Sequence, residues 1–257
     1  KSRREARNFD TNSQYIFSGI PKEFDREEES SGLWHSILRE LFKGNFSSPI
    51  REKLNNGGLT ILDIGCGLGT WLFEMSSDFK ECQYIGVDLT SKQFISNKPK
   101  NVNFVTADIT KGLPFRDESI DFVHIRNLVF DLRDEQWDSV IQDCTRILKP
   151  GGFIEVTEAE INSRNIGPIM EKFARKFADM MKANNLKNIT HHERNFPLGT
   201  WCNDFGSAFK TYNLETLRST VTRFGSKDVD NHLNELIAEC NYHRTYFIVR
   251  KFFAQKI

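Results

Sequence analysis

The sequence predicts an α/β fold of the doubly wound kind, with a mostly parallel sheet of the seven-stranded type and helices on both faces. Between residues 59 and 160, short β-type runs alternate with segments of helical spacing, and the links between them are short. This alternation indicates consecutive βαβ units and therefore a parallel sheet. Right-handed crossovers then place a binding crevice beyond the carboxyl ends of the strands.

The strands are predicted from five runs, which are LTILDI, QYIGVDL, NVNFVTADI, IDFVHI and GGFIEVTEAE in chain order. Between the fourth and fifth runs, apolar residues recur at steps of three and four, which predicts one amphipathic helix closed by KPGG. The residues of this stripe are Trp137, Val140, Ile141, Cys144, Ile147 and Leu148.

Helical patterns also flank this core. Apolar residues between positions 33 and 42 predict an N-terminal cap helix that follows an acidic segment. Three further helices are predicted from stripes at residues 169–180, 214–224 and 229–240, the last with Asp228 as its N-cap, and TYFIVRKFFA predicts a final strand. We therefore expect a flexible segment at 1–30 and one domain at 31–257, with its core at 59–160, a lid insertion at 161–225 and a C-terminal helix and strand at 226–257.

Composition narrows the class of function. The 257 residues contain 35 basic and 35 acidic side chains, and this zero formal charge argues against a nucleic-acid backbone as the main partner. The basic start KSRREAR is typical of a disordered tail. Five dispersed cysteines without a CxxC pair indicate reduced thiols, a cytosolic or nuclear location and no zinc site. No run approaches the roughly 20 apolar residues of a membrane span, so no membrane partner is expected.

The segment LTILDIGCGLGTW is the most informative stretch. Gly65, Gly67 and Gly69 alternate after the first strand, and Asp63 stands two positions before them. A dinucleotide fingerprint has the spacing G-x-G-x-x-G, whereas the third glycine here comes one residue early. The acid would repel a pyrophosphate but suits a cationic ligand such as S-adenosylmethionine, which carries a sulfonium and an ammonium. Glycines allow positive φ and a close approach of the backbone to a ligand.

This segment resembles the first motif of the class I S-adenosylmethionine-dependent methyltransferases, and four later segments resemble the family's other motifs in order. The resemblance implies a Rossmann-like fold, S-adenosylmethionine as cofactor, S-adenosylhomocysteine as product and no metal. It implies that Asp88 binds the ribose hydroxyls, that Asp108 binds the adenine amino group, and that Leu89 and Ile109 pack on the adenine faces. The cofactor-binding set that it implies is Asp63, Gly65, Cys66, Gly67, Gly69, Trp71, Asp88, Leu89, Ala107, Asp108, Ile109, Arg126 and Asn127.

The flanking segments NSQYIFSGIP, FPLGTW and ECNYHRTYF are similar to those of fungal methyltransferases related to the velvet-complex regulator of secondary metabolism. Members of that group usually carry an Asp/Glu-Arg-Leu pattern before a helix with a histidine. This chain has EESSGLWH, which keeps His35 without the arginine.

Three residues are candidates for catalysis. Methyl transfer is an in-line displacement that chiefly requires alignment, and an acceptor with an ionisable proton needs a base as well. His124 and Arg126 share one side of the fourth strand, and His35 lies on the cap helix. Each has a structural alternative: His124 as a packed strand residue, Arg126 as the partner of a carboxylate such as Glu158 rather than of a substrate, and His35 as a helix-surface residue.

Two short motifs and a set of aromatic residues further limit the possible substrates and ligands. NLVF, at residues 127–130, lacks both prolines of the Asn-Pro-Pro-Tyr/Phe loop, so methylation of adenine or glutamine is disfavoured. HHER, at 191–194, predicts a polar loop rather than a metal site, because adjacent histidines point apart. A set of lid aromatics lines an acceptor pocket or packs in the core: Phe173, Phe177, Trp201, Phe205 and Phe209.

The leading hypothesis is a methyltransferase that acts on an O or N atom of a small molecule. The alternatives are a regulatory protein that keeps the fold and acts through protein partners, and a protein or nucleic-acid methyltransferase, of which the neutral charge disfavours the latter.

Overall fold

A computed structural model of the chain describes residues 24–90, 98–128, 131–162, 177–197 and 228–257, together with Trp201 and Arg218. Seven strands form one sheet in the order β3-β2-β1-β4-β5-β7-β6. β7 is antiparallel to both of its neighbours and the remaining pairs are parallel, so the predicted fold class is confirmed. The strands are β1 (Thr60–Ile64), β2 (Gln83–Asp88), β3 (Val102–Thr106), β4 (Ile120–Arg126), β5 (Leu148–Asn162), β6 (Leu186–Pro197) and β7 (Tyr246–Lys256).

The helices that the structure describes match most of the predicted patterns. They are α1 (Phe24–Phe42), α2 (Arg51–Asn56), α3 (Thr70–Asp78), α4 (Asp134–Ile147), α5 (Val229–His243) and a short 3-10 helix (Ile109–Lys111), and residues 177–183 are also helical. The side chain of Asp228 caps α5 as predicted, accepting the backbone N–H of Asn231 at 3.2 Å. The stripe at 214–224 lies outside the described residues.

The cap helix begins earlier than the sequence indicates. α1 starts at Phe24, so the acidic residues before position 33 continue the helix rather than precede it. The helical part of the chain thus extends into the segment 1–30 that we expected to be flexible, while residues 1–23 lie outside the described part. The apolar stripe marks only the part of a helix that packs on a core, and an acidic turn adds no apolar residue to that stripe.

The polar loop predicted at 191–194 is wrong. These residues belong to β6, which pairs antiparallel with β7 along the edge of the sheet. His191 stacks on Phe252 with ring centroids 4.4 Å apart, and His192 meets the ring of Phe253 on the opposite face. Much of β6 is exposed, so its sequence lacks the apolar alternation that identifies a strand, and its pairing with β7 decides the conformation.

The sheet buries apolar side chains on both faces. Leu62, Val123 and Ile125 pack on the face that α4 covers, whereas Ile61 and Phe122 pack on the face that α3 covers. Strand alternation therefore puts His124 and Arg126 on the same face as Phe122, toward α3.

α1 covers the other end of this second face. Its Trp34 and Leu38 pack with Phe196 of β6 and Val249 of β7, and the Trp34 and Phe196 rings meet edge to face at 5.4 Å. α5 joins the same cluster through Leu233. The polar residues of β4 thus lie between the sheet and two helices, α1 and α3.

A buried ion pair ties the segment after α1 to the sheet. Glu155 of β5 is fully buried, and its Oε2 accepts the backbone N–H groups of Ser47 and Ser48 at 2.9 and 2.8 Å and the Ser48 hydroxyl at 2.7 Å. Its Oε1 lies 3.0 Å from Lys251 Nζ on β7. Burial alone would raise the pKa of Glu155, but Lys251, His124 and the Ser48 hydroxyl lower it below its ordinary value.

We predict that Gly86→Ala destabilises the protein by about 1–3 kcal/mol, because a Cβ on β2 would lie 2.7 Å from atoms of Cys66, Leu72 and Phe104. Urea denaturation measures the change in the free energy of unfolding. The matched control is Gly32→Ala on α1, where an added Cβ meets no atom within 4 Å. Alanine favours a helix over glycine by up to about 1 kcal/mol, so the control should be neutral or stabilising. Equal stability of the two variants would contradict the packing described for β2.

Candidate functional site

The glycine turn joins β1 to α3 with three residues in the left-handed region. Gly65, Gly67 and Gly69 have φ of +67°, +54° and +79°, which confirms the expected need for positive φ. A Cβ at Gly65 would lie 2.5 Å from Leu128, and one at Gly69 would lie 2.8 Å from Phe104. A Cβ at Gly67 would meet no atom within 4 Å. The outer glycines are therefore required by packing, and Gly67 leaves its backbone open to a ligand.

Asp88 ends β2 beside this turn. Its Oδ2 accepts the Gly67 N–H at 2.9 Å, and its Oδ1 accepts the N–H and hydroxyl of Thr90 at 3.1 and 3.2 Å. Burial raises the pKa of Asp88 in spite of these hydrogen bonds. Because the Gly67 amide orients Oδ2, the carboxylate is held in place before any ligand arrives.

Asp108 follows β3 at the same edge of the sheet. It accepts the Thr110 hydroxyl at 2.6 Å and the Thr110 N–H at 3.0 Å, and Lys111 Nζ lies 3.1 Å from its Oδ2. Burial would raise the pKa of this carboxyl, but the bonds from Thr110 and the Lys111 ammonium lower it below its ordinary value. Asp63, at the end of β1, completes a row of three carboxylates along one edge.

Four other residues of the implied cofactor set differ in how much surface they present. Leu89 is 41% exposed and offers an apolar face beside Asp88, and Ala107 is half-buried, with its N–H donated to the Asp88 carbonyl at 2.9 Å. Ile109 is only 4% exposed and packs in the core, and Trp71 is 1% exposed. The side chains of Ile109 and Trp71 therefore pack beneath the crevice rather than at its surface. Their contact with a cofactor stays a prediction.

His124 is a packed strand residue. Its Nδ1 donates to Asp63 Oδ1 at 2.7 Å, and its ring stacks on Trp71 with centroids 3.9 Å apart and an interplanar angle of 3°. The Trp71 indole N–H is bound in turn by the Asn45 carbonyl at 2.9 Å. Burial lowers the pKa of His124 although Asp63 opposes the shift, so the imidazole is neutral at pH 7.

His35 points into the protein, so its interpretation as a helix-surface residue is wrong. It is 5% exposed, and both ring nitrogens have partners: Nδ1 accepts from Arg126 Nη1 at 3.0 Å, and Nε2 contacts the carboxylate of Glu74 on α3. The other oxygen of Glu74 lies 2.6 Å from Arg39 Nη1. Burial and Arg126 lower the pKa of His35, while Glu74 opposes them. Neither His35 nor His124 is thus a free general base in this arrangement.

Arg126 is the last residue of β4 and contacts α1 through His35, and Asn127 follows it. Burial lowers the pKa of Arg126, and the carboxylates of Asp63, Glu158 and Glu74 oppose this shift. Glu158 accepts the Leu128 N–H at 3.0 Å and attracts Arg126 from nearby. Asn127 has φ of +59°, and its N–H donates to the Thr157 carbonyl at 3.1 Å, which turns the chain away from the sheet.

Glu74 is the site residue that the sequence reasoning missed. The available signal was a carboxylate in the otherwise largely apolar stretch TWLFEM of α3. Of the lid aromatics, Phe177 is buried between Trp137 and Phe252, which favours core packing, and the Trp201 indole donates to the Thr245 carbonyl at 3.2 Å. Residues 173, 205 and 209 lie outside the described part of the chain.

Within the described ranges, no three His, Cys, Asp or Glu side chains are grouped so that they could hold a metal ion. None of the helices seen in those ranges has the length and apolar character of a membrane span.

The comparisons with known proteins agree with the geometry. Residues 61–152 match the model of a methyltransferase domain family. The secondary metabolism regulator laeA of Coprinopsis cinerea is 30% identical over 168 residues, which cover 63% of this chain and 40% of that protein. The N-methyltransferase verN of Clonostachys rogersoniana is 29% identical over 173 residues, which cover 63% and 58%. The chain thus spans about half the length of these curated relatives.

Among solved structures, the phosphoethanolamine N-methyltransferase 2 of Haemonchus contortus in complex with S-adenosyl-L-methionine has a TM-score of 0.53 at 18% identity, covering 90% of this chain and 58% of that one. YcgJ of Bacillus subtilis has a TM-score of 0.52 at 16% identity, covering 81% and 98%. These two likenesses concern the fold. The matched family model identifies residues 61–152 as a methyltransferase domain, and the glycine turn and the ordered motifs lie within or beside this segment.

Proposed function

We propose that the chain binds S-adenosylmethionine at the carboxyl edge of β1, β2 and β3 and transfers the methyl group to an O or N atom of a small-molecule acceptor, leaving S-adenosylhomocysteine. The observation that carries the proposal is the row formed by Asp63, Asp88 and Asp108 around a turn whose backbone is open at Gly67. Three carboxylate acceptors fit the cofactor, because it presents three kinds of hydrogen-bond donor: an ammonium, two ribose hydroxyls and an adenine amino group. When bound, the cofactor supplies an electrophilic methyl group on a sulfonium.

The residues of this chain would hold the nucleoside end in place. Asp88 would accept the ribose hydroxyls with a carboxylate that Gly67 and Thr90 already orient. Asp108, fixed by Thr110 and Lys111, would accept the adenine amino group, and Leu89 would cover one face of the base. Hydrogen bonds to ionised acceptors are among the strong ones, so these two carboxylates support most of the recognition.

Alignment is the main contribution that the described residues support. Both ring nitrogens of His35 are engaged and His124 is enclosed against Trp71, so neither candidate is placed to remove a proton from an acceptor. Holding donor and acceptor in line is worth several orders of magnitude in rate by itself. An acceptor atom that is nucleophilic without deprotonation, such as an amine nitrogen or an ionised oxygen, suits this site.

The small-molecule acceptor is supported by the relatives named methyltransferases, among them verN and the methyltransferase pytC of Aspergillus terreus, which is 33% identical over 146 residues. We place the acceptor between α1 and the insertion 161–225, within a single domain at 31–257. The dispersed cysteines of the sequence support a cytosolic or nuclear setting.

A second candidate function is regulatory. The similarity to the secondary metabolism regulator laeA favours a protein that binds the cofactor and acts through protein partners or on a protein substrate. The two candidates share the cofactor site and differ in what receives the methyl group.

We predict that Asp88→Ala weakens S-adenosylmethionine binding at least about tenfold, because hydrogen bonds to a charged acceptor contribute about 1.5–3 kcal/mol each. Isothermal titration calorimetry measures the dissociation constants. The matched control is Asp138→Ala, on the exposed face of α4, which should bind as the wild type does. Equal binding by Asp88→Ala and the wild type would remove the cofactor assignment.

We also predict that, in an extract of a filamentous fungus supplied with methyl-labelled S-adenosylmethionine, the protein transfers label to the low-molecular-weight fraction. Filtration separates this fraction from protein and nucleic acid before scintillation counting, and Asp88→Ala at a limiting concentration of S-adenosylmethionine serves as the control, in which transfer should be reduced. Label that stays with protein would contradict the small-molecule acceptor and favour the second candidate function.

A further inference from the structure

Two charges of opposite sign lie close together at this site without pairing. Asp63 of β1 is opposite His124 in register, and Arg126 lies two residues further along the same face of β4. Among the nearby carboxylates, Asp63 does most to raise the pKa of Arg126 against the effect of burial. These two described residues nevertheless form no ion pair with each other, because Asp63 contacts His124 instead. In a poorly solvated site such charges attract strongly, so the surrounding residues must hold them apart.

His124 fixes the position of the Asp63 carboxylate. Its Nδ1–H donates to Asp63 at 2.7 Å, and the imidazole cannot turn because it is stacked on Trp71, whose indole is bound by the Asn45 carbonyl. Since an ionised carboxylate only accepts hydrogen bonds, the proton of this pair lies on Nδ1 of His124.

His35 positions the guanidinium of Arg126, and it does so with the other tautomer of the ring. A guanidinium only donates, so Nδ1 of His35 must be the unprotonated acceptor of the 3.0 Å bond from Arg126. The ring proton is therefore on Nε2, where it meets Glu74. The two imidazoles thus have opposite tautomers: His124 donates to the Asp63 carboxylate, and His35 accepts from the Arg126 guanidinium.

Most N–H groups of the Arg126 side chain have no hydrogen-bond acceptor among the described residues. A guanidinium has five N–H groups, and within the described residues Arg126 makes one hydrogen bond, to His35. The nearby carboxylates are engaged elsewhere: Asp63 with His124, Glu74 with His35 and Arg39, and Glu158 with the Leu128 N–H. The remaining donors of Arg126 are therefore available to the carboxylate of a ligand.

We propose that His35 and His124 are positioning residues, which orient the guanidinium of Arg126 and the carboxylate of Asp63 toward the α-carboxylate and α-ammonium of the methionine end of the cofactor. The inference rests on the proposed cofactor. It adds that α1 is part of the cofactor site, because His35 connects this helix to the ligand through Arg126. Binding of the amino-acid end and docking of α1 then stabilise each other by the same amount.

The amino-acid end can be tested separately from the nucleoside end. S-adenosylhomocysteine carries the zwitterion, whereas 5′-methylthioadenosine has the same nucleoside and sulfur without it, so the ratio of their dissociation constants reports on the contacts to the zwitterion. We predict that Arg126→Gln and His35→Leu weaken S-adenosylhomocysteine about tenfold to a hundredfold and change 5′-methylthioadenosine less than about twofold. Binding of 5′-methylthioadenosine also shows that each variant is folded.

Two further variants sharpen the test. His35→Gln keeps an acceptor and a donor on α1 and should retain more of the ratio than His35→Leu. Arg39→Gln, the matched control at the exposed end of the same chain of contacts, should leave the ratio unchanged because a surface ion pair contributes little. Equal weakening of both ligands by His35→Leu, or no weakening of either, would overturn this inference alone. A wild type that binds neither ligand would overturn the proposed function as well.

The pH dependence has a definite sign. His35 faces Arg126 and His124 of β4, Glu74 of α3 and, through Glu74, Arg39 of its own helix. Protonation of Nδ1 would direct an N–H at the guanidinium, so it breaks the contact with Arg126. Protonation of His124 leaves its Nδ1–H on Asp63. Because burial lowers the pKa of His35 below its ordinary value of 6.5, the contact is intact at pH 7 and is lost only as the pH falls below that value.

We therefore expect the preference for S-adenosylhomocysteine over 5′-methylthioadenosine to be constant from pH 8 to 7 and to decline only below pH 6.5, with His35→Gln removing the decline. Calorimetry with both ligands at each pH measures it. A preference that already declines between pH 8 and 7 in the wild type would contradict an unprotonated Nδ1 of His35 at neutral pH.

Discussion

Beneath α1 and α3, one face of the sheet carries charged side chains from four neighbouring strands, and these charges are largely shielded from water. Asp63 on β1, Glu155 on β5 and Lys251 on β7 are buried and Arg126 on β4 is half-buried, which gives two negative and two positive charges. A buried charge without a partner destabilises a protein by several kcal/mol. The arrangement of the helices over this face follows from the partners that these charges require.

Glu155 meets this requirement with Lys251 and with Ser47 and Ser48, so its contacts also connect the segment after α1 to the sheet. Asp63 and Arg126 meet it indirectly, through the two imidazoles. The first pair is closed and structural, whereas the second leaves acceptor and donor capacity unused. This difference separates a charge pair that supports the fold from one that can bind a charged ligand.

The glycine turn works on the other side of the same crevice. Gly67 presents its N–H to Asp88 while leaving open space where a side chain would otherwise project, so the turn both orients the carboxylate and clears the approach to it. Trp71, the second residue of the following helix, passes beneath the turn to stack on His124. The turn is thus connected to the two-histidine arrangement through one aromatic side chain, and the nucleoside and amino-acid ends of the site share a common support.

The order of strands and helices, the glycine turn and the acids at the strand ends followed from the sequence alone, because periodicity, positive φ and proximity to a strand end are local properties. The edge strand β6, the inward direction of His35 and the roles of Glu74, Ile109 and Trp71 did not, because they depend on partners that are distant along the chain. His35 and Arg126 are 91 residues apart in sequence, and only the packing of α1 on β6 and β7 brings them within 3.0 Å. The chemistry available at the site was therefore determined by the sequence, while the tertiary structure decided which nitrogen of each histidine carries the proton.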